Sequence, residues 1–223
     1  MDRRPALLAA FALCTFVSAG CGDDGAARPA RHDPILFVHG YSASARVWQT
    51  ELERFRGDGW PARDLIAWSY DSSRSNAVTA RAVAAKLAAV RRATGAAKVD
   101  LVTHSMGGLS TRWYLKKLGG ATHVDAWVSL GGPNHGTTGL GRCPDVACRE
   151  MRPGSPFLRA LNAGDETPGA VRYATWWSPC DTVIDPDASV RLDGAANTRT
   201  GCLSHGALAS DEQVYEEVRA FLR

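Results

Sequence analysis

Apolar residues along this chain fall into short unbroken runs, separated by longer stretches in which they recur every three or four positions. Ile35 to Val38 is fully apolar and stops at His39-Gly40. Asp64 to Tyr70, Val99 to Thr103, Val124 to Leu130 and Val171 to Trp177 are further segments of strand length. Between them, Arg46 to Arg56 places Val47, Trp48, Leu52 and Phe55 on one helical face. Val78, Val83, Leu87 and Val90 mark a long helix that ends at Gly95, a residue suited to the left-handed turn after a helix. Leu109 to Leu118 reads as a helix stopped by Gly119-Gly120. A last helix carries Val214, Val218, Phe221 and Leu222, and Ser210 with Gln213 three residues on predicts a capping box at its start. Strands that are apolar throughout, joined by helices, predict an α/β fold: a mostly parallel sheet flanked by helices on both faces. No internal repeat interrupts this order, and residues 34–223 are expected to form one domain.

The first segment has a different pattern. Arg3 and Arg4 precede an almost purely apolar run of 12 residues, Ala6 to Val17, and small residues Ser18, Ala19 and Gly20 precede Cys21. Residues 1–20 therefore read as a secretory signal peptide, too short for a membrane span. Small residues before a cysteine also suit a lipoprotein cleavage box, with Ser18 where a bulkier aliphatic is usual. Export is expected, either as a secreted protein or as a cell-envelope lipoprotein tethered to the membrane through Cys21. Residues 21–33 read as a flexible tether.

Composition narrows the class. Hydrophobic residues make up 45% and charged residues 22%, which excludes a disordered chain or a coiled-coil rod. The charge balance, 26 basic against 23 acidic side chains, is too even for an obligate nucleic-acid binder. A monomer is expected. Seven tryptophans are many for this length and suggest an apolar surface to serve. After export, Cys143, Cys148, Cys180 and Cys202 remain, and four cysteines allow three pairings. Cys143 with Cys148, closing a local loop, and Cys180 with Cys202 is the favoured set; free thiols are the alternative. No Cys-x-x-Cys spacing supports zinc or another metal.

The chemistry falls at strand ends. Val99 to Leu109 combines an apolar strand, a tight turn with Ser105 at its apex, and a helix start. A hydroxyl becomes a nucleophile only when exposed, aimed and paired with a base, and such an elbow supplies the first two. Gly107 allows the close approach of strand and helix; Thr103 stands where the G-x-S-x-G pattern has its first glycine. The helix start also offers free N–H groups. Tyr41, after His39-Gly40, and Met106 can donate their backbone N–H groups to an oxyanion, each such donor contributing about 3 kcal/mol. An orienting acid and a base should follow in that order. Asp181 lies just past a strand end, with Asp185 and Asp187 as runners-up, and His205 is the one histidine beyond Asp181. His135 is a weak alternative base, and His39 reads as a structural anchor. A Cys180–Cys202 bridge would tie the acid and base loops together. Met106, Tyr41, Trp177 and Leu140 are candidates for lining a substrate-binding trough.

These segments, Pro34 to Gly40, Thr103 to Gly108, Leu130 to Thr137, Asp181, Arg191 to Ala195 and His205-Gly206, together resemble the α/β-hydrolases, and specifically the small lid-less bacterial lipases of the class 2 lipase family. The resemblance implies a Ser105, Asp181 and His205 triad, oxyanion donors at Tyr41 and Met106, acyl esters such as triacylglycerols as substrates, and no cofactor. Short-chain carboxylesterase and phospholipase activities share this machinery; a non-catalytic binding module on the same fold is the reading of a different class. The chain departs from the family at Thr103 and in Gly139 to Pro156, which is longer, contains cysteines and can partly shield the site.

Overall fold

The computed structural model describes Met1 and residues 32–223, so the expected signal peptide, Cys21 and most of the expected tether lie outside the described residues. A compact unit spans His32 to Arg223. His32 stacks on Trp60 at 3.8 Å between ring centroids.

Six strands, β1 (Ile35–Val38), β2 (Leu65–Trp68), β3 (Val99–His104), β4 (Val124–Leu130), β5 (Arg172–Trp177) and β6 (Ala196–Arg199), form one sheet in the order β2-β1-β3-β4-β5-β6. Every neighbouring pair is parallel. Because side chains alternate across a strand, the unbroken apolar runs feed two cores. Ile35, Phe37, Val102, Val128 and Trp176 face α1 (Gln49–Gly57) and α6 (Glu212–Leu222), meeting Phe55, Val214, Val218 and Leu222. Leu36, Val38, Leu101, Trp127 and Tyr173 face α2 (Asn76–Thr94) and α3 (Gly107–Lys117), meeting Val83, Leu87 and Leu115. Two short helices, α4 (Val146–Glu150) and α5 (Pro156–Asn162), lie in the segment that the periodicity left unassigned.

The differences from the sequence reading have local causes. The helix expected over Arg46 to Arg56 starts as a 3-10 turn at Ala45–Trp48 before α1 begins. The strand expected to reach Tyr70 stops at Trp68, where Tyr70 turns to stack on His39 at 4.1 Å. The capping box at Ser210 does not form. Asp211, one residue later, accepts from the Val214 N–H at 3.0 Å, and a carboxylate there also meets the positive helix end. Gln213 instead donates to Glu217. β6 went unread because Ala-Asn-Thr-Arg has little β-forming character; it is an edge strand, its residues mostly exposed. The tryptophans do not serve an apolar surface: all seven are buried or half-buried.

β1 is the first strand in sequence but lies between β2 and β3, so the chain reverses its direction of winding there. In parallel sheets the crevice outside the carboxyl ends at such a reversal is where ligands bind. Tyr41 follows β1 and Ser105 follows β3.

Candidate active site

Ser105 is held in a left-handed backbone conformation, φ 56°, that non-glycine residues rarely adopt. Its N–H donates to the Leu130 carbonyl at 2.9 Å, pinning the turn to the end of β4. The close packing that this needs is visible at two glycines. A Cβ at Gly107 would lie 2.6 Å from the carbonyl oxygens of both Val38 and His39, and one at Gly40 would lie 2.7 Å from the Ser105 Cβ. Only hydrogen fits at either place. Thr103 is accommodated because its buried hydroxyl donates to the Val128 carbonyl at 2.7 Å, so the larger residue adds a tie between β3 and β4.

Asp181 and His205 meet. His205 Nδ1 donates to Asp181 Oδ2 at 2.7 Å. The other oxygen, Oδ1, accepts from the N–H groups of Val183 (2.9 Å) and Ile184 (3.0 Å). Burial pushes the Asp181 carboxyl up, but the His205 hydrogen bond and charge, with these two N–H groups, outweigh it and hold the acid below its ordinary value. With Nδ1 engaged, the lone pair of the neutral imidazole falls on Nε2. Around one dipeptide the parts converge: a Cβ at Gly131 would lie 3.3 Å from both Asp181 Oδ2 and His205 Cε1, and one at Gly132 would lie 3.4 Å from the Ser105 carbonyl.

Both disulfides of the favoured set are present, Cys180–Cys202 and Cys143–Cys148. The first ties the Asp181 loop to the segment before His205. Ser178 reinforces it, donating to the Leu203 carbonyl at 2.7 Å and accepting from the Leu203 N–H at 2.8 Å.

The remaining candidates separate. Asp185 is exposed and accepts from the Thr138 hydroxyl, and Asp187 begins a 3-10 turn; His205 pairs with neither. His135 Nε2 contacts Glu166 at 2.8 Å. His39 anchors its loop: Nδ1 donates to the Gly40 carbonyl at 2.8 Å, and Nε2 accepts from the Tyr70 N–H at 3.3 Å. Burial lowers its pKa, in keeping with a neutral ring. Met106 is fully buried at the start of α3, packed with half-buried Tyr41 and Leu140. Leu140 lines a cavity of about 320 Å³ with Thr137, Thr138, Cys143, Cys148 and Pro153. Trp177 is half-buried near the β6 edge, with the Arg199 guanidinium 5.7 Å from its ring centre.

Two positioning groups were not read from the sequence. His104, buried, donates from Nε2 to the His205 carbonyl at 2.9 Å; burial, with the neighbouring His205, lowers its pKa to about 4, so it works as a neutral donor. The Tyr41 hydroxyl donates to Asp145 at 2.5 Å, joining the loop after β1 to the start of α4. A histidine directly before the elbow serine was the only available signal for the first, and no sequence signal marks the second.

A family model for class 2 lipases matches residues 32–200. Among solved structures, the chain is similar to the mature form of the Bacillus licheniformis lipase BlEst2, with 20% identity, 86% of this chain and 93% of that one covered, and a TM-score of 0.75. It is also similar to Aspergillus fumigatus lipase B, with 19% identity, 82% of this chain and 52% of that one, and a TM-score of 0.66. A third similar structure is phospholipase PlaB from Legionella pneumophila, with 17% identity, 86% of this chain and 59% of that one, and a TM-score of 0.64. The chain thus spans nearly all of the Bacillus enzyme and about half of the Aspergillus one.

Proposed function

We propose how this chain, a carboxylic ester hydrolase that belongs to the class 2 lipase family, performs its reaction. Ser105 is the nucleophile, His205 the base and Asp181 its orienting acid. Neutral His205 Nε2 takes the Ser105 proton as Oγ attacks the ester carbonyl. The oxygen of the tetrahedral intermediate is bound by the backbone N–H groups of Tyr41 and Met106, aided by the amino-terminal end of α3. His205 then protonates the leaving alcohol, and water releases the carboxylic acid from Ser105 by the same route. Asp181 keeps the imidazole in the tautomer that leaves Nε2 free and stabilises the imidazolium. The observation that carries this reading is the 2.7 Å His205–Asp181 pair seated on Gly131, one residue from the glycine that packs on Ser105.

The substrates are acyl esters of the triacylglycerol type, and the cavity beside Leu140, lined partly by apolar groups, receives the acyl chain. Two disulfides support an exported enzyme. Among the described residues no helix is long and apolar enough to cross a membrane.

A serine-reactive fluorophosphonate should label the protein and leave Ser105→Ala unlabelled. Absence of labelling in folded protein overturns the triad and leaves a binding module. Rates on p-nitrophenyl esters of rising acyl length, with and without emulsion, then rank esterase against lipase.

A further inference from the structure

The segment from Gly139 to Asn162, which holds α4 and α5, has an unusual sorting of charge. It contains four arginines, Arg142, Arg149, Arg152 and Arg159, and two acids, Asp145 and Glu150. All four arginines are exposed. Both acids are spent on anchoring. Asp145 accepts from the Tyr41 hydroxyl. Glu150 accepts from the Ser75 hydroxyl (2.6 Å) and from the Asn76 N–H (2.6 Å) and side-chain amide (3.0 Å), at the start of α2. The arginines do not answer these acids. Arg149 and Arg159 reach backbone carbonyls, those of Pro144 and Gly154. Among the described residues, Arg142 and Arg152 have no acidic partner within ion-pair distance, and Arg152 borders the cavity that Leu140 lines. Asp185, which accepts from the hydroxyl of the cavity-lining Thr138 at 2.6 Å, is likewise engaged. The segment therefore turns cations outward, with Arg152 at the rim of a partly apolar opening and Arg142 next to its lining residues Gly141 and Cys143, on a chain whose charge is otherwise close to balance.

We infer that this face docks on a lipid surface bearing anionic phosphate headgroups. Arginine suits that partner because its planar guanidinium pairs with phosphate oxygens through two hydrogen bonds and is weakly hydrated. Few large apolar side chains are exposed on the described residues, so attachment is electrostatic and peripheral. The cavity then stands against the surface from which an acyl chain must be drawn. The inference takes its purpose from the acyl-ester reading above, but binding to a surface needs no catalysis, so the two can fail separately.

The test is sedimentation of the full protein carrying Ser105→Ala with vesicles of phosphatidylglycerol or of phosphatidylcholine. Strong partition to the anionic vesicles and weak partition to the neutral ones is expected, lost at ~1 M salt, where the screening length is about 3 Å. Each surface arginine is expected to contribute about fivefold to partition, so Arg142→Gln/Arg152→Gln should bind roughly 25-fold more weakly, and Arg142→Lys/Arg152→Lys should fall between the Gln variant and the parent, since lysine keeps the charge and loses the two-bond pairing. Excess inorganic phosphate should compete poorly, since it offers one isolated anion and no surface. Equal partition to both vesicle types overturns the inference. So does full binding by the Gln variant with an unchanged thermal midpoint, capture by a soluble polyanion but not by vesicles, or displacement by phosphate alone. Ester hydrolysis retained by Ser105→Ala, with its vesicle binding intact, would strike the proposed reaction and leave this face standing.

Discussion

The two disulfide-stapled regions of this molecule are built on opposite principles. Cys180–Cys202 joins positions 22 residues apart, one beside Asp181 and the other three residues before His205. Around it the polar groups satisfy one another at short range: Asp181 with His205, Val183 and Ile184, Ser178 with Leu203, and His104 with the His205 carbonyl. Cys143–Cys148 closes a loop of separation 5. It shapes only its own turn, and the segment is held to the body by an apolar cluster, in which Ala147, Cys148 and Met151 pack with Met106 and Leu109, and by two carboxylates that reach away from it, Asp145 to Tyr41 and Glu150 to the start of α2. A covalent tie between distant positions fixes relative geometry, which proton transfer requires. A local tie makes a firm knuckle, whose inner face packs on the body and whose outer face is free to carry charge.

The largest expected contrast lies in the acids of the two regions. Asp181→Asn should lower kcat on p-nitrophenyl butyrate by about 10⁴-fold, because the wrong histidine tautomer is then favoured. Asp145→Asn weakens one charge-assisted bond to the loop carrying Tyr41 and should cost no more than about tenfold, in kcat more than in KM. Equal losses would erase the distinction between a group acting on the proposed base and one that steadies the proposed oxyanion loop through Tyr41.

Removing the staples comes next. By loop-closure entropy, Cys180→Ser/Cys202→Ser should lose about 3.4 kcal/mol of unfolding free energy and Cys143→Ser/Cys148→Ser about 2 kcal/mol. Activity should separate them more than stability does. Reduction of Cys180–Cys202 is expected to cut ester hydrolysis further than it cuts the far-ultraviolet circular dichroism, and parallel loss of the two signals would count against a positioning role.

Glycines sharpen the same comparison. At Gly107 a methyl group would strike two backbone carbonyls at 2.6 Å, so Gly107→Ala should destabilise by about 3 kcal/mol in denaturant titration. Gly141, in the stapled segment, has φ 57°, and a methyl group there would meet nothing within 4 Å, so Gly141→Ala should cost only about 1 kcal/mol, from the backbone alone.

The smallest effect is in acid. Asp181 has its pKa lowered in the fold, so its contribution to stability is complete above its ordinary value of 3.8 and is lost as the pH falls through the lower folded value. Asp181→Asn should therefore flatten the stability curve below about pH 4 and leave its shape unchanged above that. A curve that steepened instead would mean that the carboxyl is protonated in the folded protein.

Much of this was legible in the chain itself. Val124 to Leu130 is β4 from end to end, and Gly95 ends α2 with φ 73°, because burial on both faces and a left-handed cap each demand residue types that few other settings favour. Ser105, Asp181 and His205, the proposed triad, became candidates for a similar reason: an elbow, a strand end and a position before the last helix are local features. β6 could not, because an edge strand needs little apolar character to pair on one side. Nor could the start of α6, where Ser210 and Asp211 both qualify as caps and the packing of the preceding turn selects the aspartate.

Periodicity and turn chemistry, acting over a few residues, thus determined the parallel sheet, its two covering layers and the residue types offered at its carboxyl edge. The tertiary structure alone decided which partners those residues take. His104 finds the His205 carbonyl across 101 positions and Tyr41 finds Asp145 across 104. It also decided that both acids of the arginine-rich segment turn to the body while its cations stay outside. Short-range preferences are written in the order of residues, whereas a contact between distant segments exists only once the apolar runs have collapsed and the entropy of bringing those segments together has been offset by burial.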